Sequence, residues 1–128
     1  MKRFAMTVMG MALAASAAAA DFDGSRKLIC APVQVLDCIA GEGCEKGIPA
    51  DFGAPAFMRV DVQGKKVAGT KVQSDILGVD RSEKQMLLNG RELGYGWVMA
   101  IDAKSGEMTL SMTNRLGAFV MFGNCTPL

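Results

Sequence analysis

From Ala56 to Phe122 the chain runs in short stretches of alternating apolar and polar residues, each ended by turn-forming residues. A period of two places successive side chains on opposite faces of a strand, so every such stretch has one face to bury. Met58, Val60 and Val62 oppose Arg59 and Asp61, and Tyr95, Trp97, Met99 and Ile101 share one face. Met108, Leu110 and Met112 oppose Thr109, Ser111 and Thr113. Further strands are expected at Leu28–Leu36, where Pro32 calls for an edge or a bulge, and at Val67–Ala68, Val72–Val79, Gln85–Leu88 and Ala118–Phe122. The turns between them are read at Gln63–Lys66, Arg81–Lys84, Asn89-Gly90, Asp102–Gly106 and Asn114–Gly117.

Regular turn spacing without a helical period implies an all-β fold, an antiparallel up-and-down meander of about eight strands, barrel or barrel-like. Closing such a meander removes its exposed edges. One stretch resists the pattern. Asp37–Pro55 is rich in Gly and Pro and reads as a long irregular loop, with Ile48 and Phe52 as its half-buried residues.

The other end of the chain looks like an address. Lys2 and Arg3 precede roughly 17 uncharged residues of mostly small side chains, short for crossing a bilayer. Ala18 and Ala20 make an A-x-A cleavage pattern, so residues 1–20 read as a secretory signal peptide cut after Ala20 and residues 21–128 as a single β-barrel-like domain. The expected location is the periplasm or exterior of a Gram-negative bacterium, with no membrane span in the mature chain. The leader takes two of the 14 basic residues and none of the 13 acidic ones, which leaves the domain with one net negative charge. Such a balance offers no general attraction to nucleic acid or to an anionic membrane.

Cys30, Cys38, Cys44 and Cys125 all lie in the domain, and an even count in an exported chain reads as two disulfides. Of the three pairings, the preferred one closes Cys38 on Cys44 across a Gly-rich turn and leaves Cys30, near the start, for Cys125, near the end. There is no C-x-x-C for redox chemistry, and an all-cysteine zinc site would want two close pairs.

The chain has no histidine, which rules out Ser-His-Asp and Cys-His sites. Asp61, Asp75, Asp80, Glu83 and Asp102 lie in or beside turns, where a solvated charge is the default, and no nucleotide-binding loop is present. Asp21-Phe22-Asp23-Gly24 has the flavour of a calcium loop but reads better as a turn. Met86, Met99, Met108, Met112 and Met121 carry thioethers suited to Cu(I), but methionine is first of all a core filler. No cofactor and no catalytic residue is therefore expected. Tyr95, Trp97, Met99, Met108 and Met112 make the candidate ligand pocket.

Phe22-Asp23-Gly24, the first three cysteines, Pro55–Asp61, Trp97–Asp102, Gly106–Leu110 and Phe119–Pro127 together resemble a family of small secreted proteobacterial proteins of unknown function. That resemblance implies no activity. The expected architecture is also similar in shape to calycin-type barrels, which bind small apolar ligands or inhibit proteases. The expected function is a non-enzymatic binding module for a small apolar ligand or an envelope protein. The alternatives are a protease or lysozyme inhibitor acting through Asp37–Pro55 and, last, a carboxylate-based enzyme.

Overall fold

The computed structural model describes residues 21–128; the signal-peptide reading of residues 1–20 lies outside the described residues. Nine strands follow one another: β1 (Leu28–Ile39), β2 (Gly43–Gly47), β3 (Met58–Asp61), β4 (Lys66–Ala68), β5 (Gln73–Arg81), β6 (Gln85–Glu92), β7 (Tyr95–Asp102), β8 (Glu107–Asn114) and β9 (Gly117–Pro127). All pairings are antiparallel, and sequential neighbours pair from β3 to β9. β9 then pairs along the whole of β1, which pairs with β3, so eight strands close into a barrel with β2 as an extra strand. The fold is the expected all-β, disulfide-stapled meander.

The closing strand β1 serves two partners on one edge. Its first residues, Leu28–Cys30, pair with β3, and its last, Val35–Ile39, pair with β2. Pro32 falls in the gap between them, beside a bulge where Val33 is the extra residue. Proline has no N–H to give to a ladder, and here that edge has no strand to receive one.

The Asp37–Pro55 stretch differs from the expected loop. Its first part continues β1, turns, and returns as β2, with Cys38 directly opposite Cys44. A 3-10 turn, Pro49–Phe52, follows; the Ile48 N–H donates to Asp51 Oδ2 at 3.0 Å. Gly41, Gly43 and Gly47 belong to a stapled hairpin and Pro49 opens the 3-10 turn, while Gly53 and Pro55 lie in the irregular chain before β3. Phe52 packs against the core as expected, but Ile48 is exposed.

The sequence also misplaces one turn. Asn89-Gly90 lies inside β6, and Gly90 faces Trp97 across the ladder. A side chain at Gly90 would overlap the indole ring and the Asp75 carbonyl. This glycine makes room for a tryptophan instead of bending the chain. The bend comes at Leu93-Gly94, a two-residue loop with both φ angles positive, 50° and 81°, which is the twist a tight hairpin requires.

The core fills the barrel from one end. Met86, Leu88, Ile101 and Met108 are buried there with Leu28 and Val60, and the methionines act as packing residues. Phe22 plugs this end, its ring lying in the space left by Gly106. The plug is held by its own segment: the Ser25 N–H donates to Asp23 Oδ1 and Arg81 Nε donates to the Asp23 carbonyl, both at 2.8 Å. The Cys30–Cys125 bridge joins β1 to β9, and Cys38–Cys44 joins β1 to β2, which is the preferred pairing. No described helix is long and apolar enough to cross a membrane.

Candidate functional site

The end opposite Phe22 is open. A cavity of about 590 Å3 enters there, a size typical of small-molecule sites. β7, β8 and β9 supply one continuous wall, because their alternate residues point inward at successive depths. Trp97, Met112 and Phe119 form one cross-strand row, and Met99, Leu110 and Met121 form the next row down. That lower row is buried and makes the floor. Tyr95 stands at the mouth, its ring tilted 54° to Phe119 at a centroid distance of 6.1 Å.

The facing wall is lower, since β3 and β4 are the two shortest strands of the barrel. Met58 and Val67 line it, and the Phe52–Ala56 segment completes it above them. Gly69–Val72, Glu92 and Leu93 form the remainder of the rim.

One polar contact orients this wall. Trp97 Nε1 donates to Ser74 Oγ at 2.8 Å, and that hydroxyl donates in turn to the Arg91 carbonyl at 3.3 Å. Ser74 is the one buried polar residue among the described residues, and both polar groups are satisfied inside the protein. The indole is thereby fixed between Gly90 and the cavity, with nothing left on it to donate to a ligand.

Four of the five residues read as a candidate pocket line this cavity: Tyr95, Trp97, Met99 and Met112. Met108 does not; it is buried near the plug at the closed end. Sequence reasoning missed Ser74, Phe119, the Phe52–Ala56 segment and Leu93. Phe119 carried a signal, since it belongs to a strand read as apolar on both faces. Ser74 carried none, because its role depends on the Trp97 indole across the barrel.

The acidic residues lie elsewhere. Asp61 accepts from the Gly64 N–H, Asp75 pairs with Lys66 across β4 and β5, and Asp102 accepts from the Lys104 and Ser105 N–H groups. Those backbone bonds from Ser105 and Lys104 hold the Asp102 carboxyl below its ordinary pKa, and the Ser25 bonds do the same for Asp23. Among the described residues, Glu92 is the only carboxylate on the cavity lining. Among the described residues no group of three or more His, Cys, Asp or Glu side chains is placed to hold a metal ion. In comparisons with known proteins, no family model, curated protein or solved structure matches the chain.

Proposed function

We propose that this protein is a non-enzymatic binding module that holds a small apolar ligand in the open end of its barrel. The observation that carries the reading is the cavity itself: about 590 Å3, walled by aromatic and thioether side chains, with its buried polar groups already satisfied. Such a wall rewards the transfer of apolar surface from water, and four methionines, Met58, Met99, Met112 and Met121, let it adapt to ligands of differing shape. A ligand with a polar end would keep that end at the rim, beside Thr70, Lys71 and Glu92.

The test is titration with the apolar fluorophore N-phenyl-1-naphthylamine, read by dye emission and by Trp97 fluorescence. The expected result is saturable one-site binding that Met112→Trp abolishes by filling the cavity. Absence of dye binding, or equal binding by the filled variant, would show the reading to be wrong. The proposed setting is the periplasm or exterior of a Gram-negative bacterium, after cleavage at Ala20. The intact mass of the protein recovered from that compartment reads both the new N-terminus at Asp21 and the two disulfides.

One observation favours a second reading. The β1–β2 hairpin is exposed, stapled by Cys38–Cys44, and joined edgewise to β1 instead of lying over β9. A rigid element of this kind suits insertion into the cleft of a protease or lysozyme. Inhibition of a panel of such enzymes, lost on replacing Glu45 and Lys46, would move the function from the cavity to the hairpin.

A further inference from the structure

The turns at the two ends of the barrel carry different chemistry. At the plugged end they are Val62–Lys65, Ser82–Lys84 and Ala103–Ser105, and their exposed side chains are polar or charged, apart from the half-buried Ala103. At the open end large apolar residues are exposed in or beside the connections, although the β1–β2 turn itself, Ala40–Glu42, holds none. Val72 follows β4, Leu93 follows β6, Leu116 follows β8, and Ile39 and Ile48 flank the β1–β2 hairpin. Leu93 is 75% exposed and Leu116 55% exposed. Two of these turns sit side by side, as the Ala40 N–H donates to the Leu116 carbonyl at 3.2 Å.

Leu93 is the telling case. It holds a left-handed φ of 50°, a conformation that Gly, Asn or Asp adopts with less strain. A leucine there helps neither the turn nor the core. Lys65 takes a similar φ in a turn at the plugged end, but its side chain is a solvated charge. Strain retained at an exposed apolar residue on a cavity rim points to something that the residue touches.

We propose that the open rim docks on a lipid surface, and that the cavity receives its ligand directly from that phase. The inference rests on the ligand reading above. Two features favour lipid as the occupant. The apolar residues stand on separate turn tips around a mouth that continues into an apolar cavity, so insertion would join the two apolar phases without a water layer between them. Lys71 and Arg115 directly precede Val72 and Leu116, which places cations at headgroup level on two tips, while Glu92 before Leu93 is an anion that stays on the water side.

The experiment is co-sedimentation of the full mature protein with phosphatidylcholine–phosphatidylglycerol vesicles, run beside N-phenyl-1-naphthylamine titration. Wild-type protein should pellet with the vesicles. The Ile39→Gln/Leu116→Gln variant, altered at rim positions off the cavity lining, should bind vesicles about tenfold more weakly, the order expected for leaving such side chains in water, with dye affinity unchanged. Leu93→Asn relieves the backbone strain, so its Tm should hold or rise while its vesicle binding falls. Wild-type protein that binds dye but ignores vesicles would overturn the docking and leave the ligand reading standing. Undiminished vesicle binding by both variants would likewise overturn it. Vesicle binding without dye uptake would instead overturn the ligand reading on which the docking rests.

Discussion

At the plugged end of the barrel, Phe22, Met86 and Met108 are buried, the turns are charged, and the Cys30–Cys125 bridge joins the first strand of the closed wall to the last. At the open end a cavity reaches down to Met99, the turns carry exposed Leu and Val, and the bridge there, Cys38–Cys44, spans only six positions of chain. The same alternating strands run through both ends. The difference therefore comes from what occupies the barrel at each level and from the turns. One end concentrates buried area and long-range cross-linking; the other leaves both out and presents a wall.

Stability should divide accordingly. Replacing Cys30 and Cys125 with Ala frees a loop of sequence separation 95 and should cost about 4–5 kcal/mol, read as a large fall in the denaturation midpoint. Phe22→Ala should cost about 3–4 kcal/mol by opening a void at the plug, with dye affinity at the far end retained. A smaller loss than from an ordinary surface change would show that the plug is not part of the core. Replacing Cys38 and Cys44 with Ala should cost about 2 kcal/mol, since the closed loop is short. If that loss matched the loss from the long bridge, the contrast between the ends would fail.

The smallest effect is electrostatic. The lowered pKa values of Asp23 and Asp102 give stability that is present above their ordinary value of 3.8 and drains away as the pH falls through the lower folded-state values. Acid titration should leave the Tm flat from neutral pH to about 4 and lower it below that, less steeply in Asp23→Asn.

Much of this architecture can be read from the chain, and the misreadings have physical causes. Trp97, Met99 and Ile101 face inward as their period of two demands, because the period belongs to the strand itself. Asn89-Gly90 was a reasonable turn by composition, but composition is local and the need for that glycine comes from Trp97 on the next strand. The hairpin within Asp37–Pro55 is hidden by its own glycines and by the prolines that follow it, although Cys38 and Cys44 pair across it. Met108 and Met112 show where pattern reading stops. They share one strand and one face of it, four residues apart, yet one is packed against the plugged end while the other lines the cavity. Alternation says inside or outside; it does not say how deep, and depth depends on the closure of the whole barrel.

The seam between β1 and β9 also governs the order in which the molecule can be made. As the chain appears from its N-terminus, Cys38 soon meets Cys44, and their hairpin can be oxidised while most of the wall does not yet exist. Cys30 must wait for a partner 95 positions later. During that interval the closed hairpin bridge leaves Cys30 as the one unpaired thiol, and its route to a wrong pairing is attack on that bridge. The short bridge thus belongs to the first part of the chain made, and the long one to the moment the last strand closes the wall.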